Sequence, residues 1–513
     1  MALQVPPLAR RSSASVRFVG LGLCLVFTLF FFWPHPPASL LLLVVAAALA
    51  YLRLEIAVAL LPLTFPYFLF LKPLSPSGFP SFYIAELGMF ICLGVMALRH
   101  VFMAEERRAT GTWLRGLWRQ AGAFIPPALL ILVGAALGLL VSPVQHDSLR
   151  AYRQEIIEPL LYFLLMLRYL RTPTDLARAI GALILSSLVL ACIGIGQGIT
   201  QLTSFRDVLN PATLRVIAFT YSPNNLASLL DYAIPILLAM ALSGMRRPRT
   251  AGAAVQPSIW RDPLRWICLA LLLPLLLALY WTDSHGAELA LLLVAFGFFA
   301  FEVRRWVVVL GIGAVGILGG VLFWSRLAGL LNSKTHGTFA ERLYIWKAGL
   351  LMIRDHFLLG TGLHSFSTLF RPTAPNSYML QALDGQTSGA PQASTPHPHD
   401  FLLDFWVSTG LLGEIGVLWV LGAFATVFVR TYRLCARLSQ ARLLQRLLLG
   451  IAGAMLASVI HGLVDNFYFL PDLALTFWFF MGILLVLRTL ARQEYAALPD
   501  DAKQQREETV VAR

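Results

Sequence analysis

The stretch TPHPHDFLLDFWVSTGLLGEIGVLW, residues 395–419, sets His397 and His399 among prolines directly ahead of a long apolar run. An imidazole titrates near neutral pH, so at a membrane edge it serves as a base, a ligand or a tolerated loop residue. Similar apolar runs, about 20 residues long and shorter where proline cuts them, recur from Phe18 to Leu490 with short polar breaks between them. The composition agrees: of 513 residues 58% are hydrophobic and 13% charged, and the mean hydropathy is +0.72. The expected fold class is all-α, a polytopic membrane helical bundle of about 12–14 transmembrane helices.

Charge sets the orientation. The first run, Phe18 to Trp33, follows Arg10, Arg11 and Arg17, but FFFWPHPP replaces a small-residue cleavage site, so a retained first helix is expected. A cytoplasmic N-terminus places Arg99, Arg107, Arg108, Arg115 and Arg119 inside, then Arg246, Arg247, Arg249, Arg261 and Arg265. Arg304 with Arg305, and the group Arg430, Arg433, Arg437 and Arg442, follow on the same side, which makes both termini cytoplasmic. One long loop, roughly Ser325 to Asp400, then faces outward together with Arg215 and His285.

The net charge of +13 is dispersed over short loops, so orientation accounts for it better than nucleic acid does. Cys24, Cys92, Cys192 and Cys268 fall in apolar helices and Cys435 in a cytoplasmic loop, which argues against a disulfide framework or a zinc spacing. There is no repeat of fixed period, no Walker-type glycine loop and no cytoplasmic segment of nucleotide-binding size. Three segments are expected: 1–264 with the Arg215 loop, 265–430 as the core with the outward loop at about 325–400, and 431–513 with the last helices and tail.

Arg150, Arg153, Arg215, Arg326, Arg342, Arg354 and Arg371 all fall on the outward side, where arginine should be scarce. Long loops escape the charge bias, which covers Arg326 and Arg371. Arg215 stands instead in a short loop, TLRVIAFTYSPNNLASLLDYAIP, that enters a helix at Pro223 and Asn224. Free N–H groups at such a start favour an anion, and a guanidinium grips phosphate in bidentate fashion. Anion binding and snorkelling to the headgroups are both open for Arg215.

Glu341 to Phe370 reads as an amphipathic helix with Leu343, Trp346, Leu350 and Ile353 on one stripe, then a turn at Gly360 and Gly362. A helix floating at the lipid interface has the same pattern. Asp231, Glu288, Asp404 and Glu414 lie in or beside apolar runs, where ionisable groups face a cavity or a partner. Asp465 and Asn466, in HGLVDNFYFLPD, read first as turn and capping residues and second as site residues.

Five segments in order resemble the O-antigen ligase and polymerase superfamily of bacterial polysaccharide assembly. They are RVIAFTYSPNNLAS; ERLYIWKAGLLMI with Arg342 and Trp346; LLGTGLHSF; HDFLLDFWVSTGLLG with His399; and HGLVDNFYFLP. The resemblance spans about Arg215 to Leu485 and is densest between Asp283 and Gly413. It departs in two places: Ser284, His285 and Gly286 stand where the family often has serine, arginine and glycine, and Asp400 where asparagine commonly follows the histidine.

The resemblance implies a GT-C-like helical glycosyltransferase that is metal-independent and needs no cofactor. It implies a glycan donor on undecaprenyl diphosphate, and a glycan, lipid-core or protein acceptor, at the outer face of the bacterial inner membrane. His399 is then the catalytic residue that activates the acceptor hydroxyl, which is too weak an acid to ionise unaided. Arg215, Arg342 and His285 would hold the diphosphate, with Asp400, Asp283, Asn224 and Trp346 in support. By spacing His397 is a loop residue.

A ligase passes a finished glycan to its acceptor, whereas a polymerase joins repeat units, and both need one donor site. A transporter of lipid-linked glycan would show internal symmetry and charges at the membrane midplane. The sequence shows neither. A membrane scaffold leaves the outward arginines and the histidine unexplained.

Overall fold

The computed structural model describes residues 13–33, 36–73, 81–202, 205–206, 214–242, 262–302, 338–383, 395–438, 442–501 and 503. Strands among them are confined to two short hairpins, Lys72–Pro73 with Ser81–Phe82 and Phe205–Arg206 with Leu214–Arg215. The remaining elements are helices: α1 Ser13–Phe32, α2 Pro36–Leu52, α3 Leu54–Leu60, α4 Ile84–Phe102, α5 Ala104–Ala121 and α6 Ile125–Val141. Next come α7 Gln145–Ala151, α8 Glu158–Tyr169, α9 Pro173–Thr200, α10 Pro223–Leu242, α11 Pro263–Thr282 and α12 His285–Glu302. The last six are α13 Thr338–Asp355, α14 Phe366–Phe370, α15 Tyr378–Ala382, α16 Phe401–Ala436, α17 Arg442–Gly462 and α18 Pro471–Ala496.

The chain is an all-α multi-pass membrane bundle. Among the described residues eight helices are long and apolar enough to cross a bilayer, or ten when two bent pairs count as spans. The sequence-based expectation of about 12–14 also counts the apolar run within 303–337, which lies outside the described residues. Ser39–Leu52 and Leu54–Tyr67 meet at 118°, and α5 meets α6 at 93°. Helix α12 is a shorter apolar helix, and Arg326 with the rest of 303–337 lies outside the described residues.

The break in α16 is built by glycine. Gly410 has φ 66° and ψ −168°, a conformation essentially closed to residues with a Cβ. The turn at Gly360 and Gly362, with φ 68° and 91°, inserts at that point. Leu411 N–H donates to Leu358 O at 3.2 Å, while Thr361 N–H donates to Val407 O at 2.6 Å. The inserted turn thus takes over hydrogen bonds that the broken helix gives up, as a low-dielectric interior requires.

Helix α6 lies along α16 through Gly134 and Gly138, four residues apart. A Cβ at Gly134 would come within 2.7 Å of Gly413 N, and one at Gly138 within 2.8 Å of Ser408 O. Small residues here let the two backbones approach closely. Helix α18 is central and packs on α8 and α16, while α10 packs on α11, α12 and α17. The stripe expected on α13 is only partly the buried one. Ile345, Ala348, Met352 and Ile353 are buried, whereas Leu343 and Leu350 are exposed.

Several of the arginines expected on the outward side have local partners. Arg153 pairs with buried Glu86, and with Glu158 at 3.3 Å. Arg354 pairs with Asp355 at 2.8 Å, and Arg371 donates to Thr368 Oγ1 at 3.1 Å. Arg153 and Glu155 belong to a π-helical turn, Tyr152–Ile157, whose extra residue per turn aims Glu155 at His364, 2.9 Å away. The Glu155 carboxylate, against the opposing effect of burial, pushes the His364 imidazole up to about 9. Since the unfolded value is about 6.5, the pair stabilises the fold fully below that pH and the contribution is lost as pH rises to about 9. Thermal unfolding of wild type and His364→Gln should therefore differ most below pH 6.5 and converge towards pH 9; a constant difference would refute this.

Candidate active site

Asp465, in the turn between α17 and α18, is the hub on which three other segments converge. Its Oδ1 accepts from Asn466 N–H at 2.7 Å and lies 3.4 Å from His399 Nδ1. Its Oδ2 accepts from Asn224 Nδ2 and lies 3.9 Å from Arg342 Nη2. Burial favours the neutral acid, but the hydrogen bond to His399 and the Arg342 guanidinium hold the Asp465 carboxyl well below the usual carboxylate range. The carboxylate is only 7% exposed, while His399 and Arg342 are 25% and 26% exposed.

Arg215 is aimed by the end of α11 and the start of α10. Its Nε donates to Thr282 O at 2.7 Å, and its Nη2 donates to Asn224 Oδ1 at 3.0 Å and to Asp283 O at 3.4 Å. Asn224 therefore bridges Arg215 to Asp465. Arg342 and the His399 imidazole thus face a single buried carboxylate, to which Arg215 is linked through Asn224. An anion brought to the guanidiniums meets charges already oriented, which is the condition for strong charge stabilisation.

His399 sits in the left-handed region, φ 53°, which is uncommon outside glycine. Two contacts hold it there: Trp346 Nε1 donates to its carbonyl at 3.3 Å, and its own N–H donates to His397 Nδ1 at 3.3 Å. His397 is thus more than a loop residue. Burial first, and the neighbouring His399 second, pull its pKa down to about 3, so it keeps the lone pair that accepts this bond.

Asp400 does not play the part of orienting carboxylate. Its Oδ1 accepts from Leu403 N–H at 3.0 Å, which makes it the N-cap of α16, and burial raises its pKa. The carboxylate against the His399 ring is Asp465. Asp283 ends α11 in the left-handed conformation, φ 52°, and contributes its carbonyl to Arg215. His285 is engaged by Glu288 at 3.2 Å and Asp283 at 3.7 Å. Beneath the site, buried His461 lies 2.8 Å from Asp231 and 3.3 Å from Ser284 Oγ, supporting the turn that carries His285.

Ligand atoms of His397, His399 and Asp465 lie within 4.8 Å of one another, a grouping some metal ions accept. Both Asp465 oxygens, however, already take protein hydrogen bonds, and Arg342 adds positive charge beside them. That donor set suits an anion better than a divalent cation.

Residues 269–418, which include His285, Arg342, Trp346 and His399, match the family model described as O-antigen ligase. That stretch of the chain is similar to the O-antigen ligase family. No curated protein matches the sequence. The O-antigen ligase match stops short of Arg215, Asn224 and Asp465, which the fold alone brings to the same place.

Proposed function

We propose that this membrane enzyme transfers a glycan from undecaprenyl diphosphate to an acceptor hydroxyl at the outer face of the bacterial inner membrane, as an O-antigen ligase does. The observation that carries the reading is the His399–Asp465–Arg342 cluster joined through Asn224 to Arg215. As the glycosidic bond breaks, negative charge grows on the diphosphate, and Arg215 and Arg342 stabilise it without a metal ion. With the Nδ1 proton of His399 directed at Asp465, the lone pair stays on Nε2, where it takes the proton of the attacking hydroxyl.

The acceptor is a lipid-core sugar, a glycan chain or a protein. Supplying the purified enzyme in lipid with a glycan-loaded undecaprenyl diphosphate and each acceptor tests this. A conjugate on lipid core or protein supports the ligase, and a lengthened carrier-linked chain the polymerase. Carrier binding with no transfer would overturn both. Arg215→Lys keeps the charge but loses the planar fork, and its transfer efficiency should fall about ten- to a hundredfold, the effect of one or two charged hydrogen bonds.

A further inference from the structure

Five arginines converge at the end of the bundle opposite His399. Arg430 and Arg433 lie at i and i+3 on α16, whose C-cap is Arg437 at i+7 on the same side, and Arg488 and Arg492 lie at i and i+4 on α18. All five line a single open cavity of about 410 Å³. Its lining is completed by Thr431 and Leu434, and Glu494 of α18 acts electrostatically on Cys435 beside it, one acidic group against five guanidiniums. Arg437 and Arg488 are half-buried, and the other three are exposed.

The positive-inside tendency accounts for arginine at this end but not for its convergence. On α5, at the same expected face, Arg115 and Arg119 are exposed on a helix surface outside this cavity. Guanidiniums gathered around one cavity repel one another, and an anion with several oxygens relieves that repulsion through bidentate pairs. The 26 residues of α18 make it about 39 Å long, close to a bilayer with its headgroups, about 40–45 Å. Since Asp465 precedes one end of α18 and the arginines flank the other, the cavity lies at the opposite headgroup level.

We propose that this cavity binds the phosphate of an acidic phospholipid headgroup in the leaflet opposite the active site. Calling that leaflet cytoplasmic rests on the orientation in the proposed function; the binding does not. Basic pockets between transmembrane helices recognise such headgroups by this chemistry.

The test uses the full chain in phosphatidylcholine nanodiscs titrated with phosphatidylglycerol, with bound lipid counted by native mass spectrometry. Arg488→Gln with Arg492→Gln, and separately Arg430→Gln with Arg433→Gln, should each weaken apparent affinity about thirtyfold. Arg115→Gln with Arg119→Gln removes the same charge and should leave affinity unchanged. Unfolding midpoints in phosphatidylcholine alone identify any variant that has misfolded, and the other pair then decides. Equal loss in the α5 variant, or no loss in a folded cavity variant, would overturn the site. Glycerol phosphate displacing the lipid at equal concentration would overturn the lipid assignment.

Discussion

Replacing His399 by alanine should lower glycan transfer by about a hundred- to ten-thousandfold, the contribution of a positioned general base, while the protein remains folded in the membrane. The fold should survive because the ring is 25% exposed and the bonds that fix the local backbone use the carbonyl and N–H of His399, which alanine retains. Asp465→Asn is the companion experiment. The amide can donate to the ring and favour the tautomer with its lone pair on Nδ1, so transfer should drop in the same range with donor binding reduced less. Initial rates and donor affinity in the purified enzyme measure both. Full activity in His399→Ala would remove this residue from the mechanism.

The largest effect on stability is expected at Gly410. A side chain there meets Leu358 O at 2.2 Å and the Leu359 carbonyl carbon at 2.6 Å, both of them backbone. The conformation itself is strained for any residue with a Cβ, by about 1–3 kcal/mol, and expelling the inserted turn would strand buried amides at several kcal/mol each. Gly410→Val should therefore leave little folded protein after membrane extraction, read by size-exclusion profile and thermal midpoint. Gly422, with open space around its Cβ on the same helix, is the control, and Gly422→Val should behave as wild type. Normal folding of Gly410→Val would show that the turn does not depend on glycine.

Much of the candidate site is legible in the sequence. His399, Arg215, Arg342, Asn224 and Trp346 were singled out from spacing, charge and resemblance, and the structure brings all five to one cluster. Asp465 was read mainly as a turn residue because an acidic residue between two apolar helices is what a turn requires. Its partners lie 66 and 241 residues away, and no local pattern encodes such distances. Asp400 misled for the converse reason. Adjacency to His399 in sequence suggested an electrostatic partner, but a residue at a helix start turns its carboxylate to the first free N–H groups.

The sequence by itself determined that this chain is a helical membrane bundle, because apolar run length is a local property that the bilayer reads directly. Tertiary structure alone decided which carboxylate serves His399, that Glu155 pairs with His364, and that the Gly360 turn enters the break at Gly410. These depend on how α6, α10, α16 and α18 pack, and burial leaves each ionisable or backbone group to find its partner from another part of the chain.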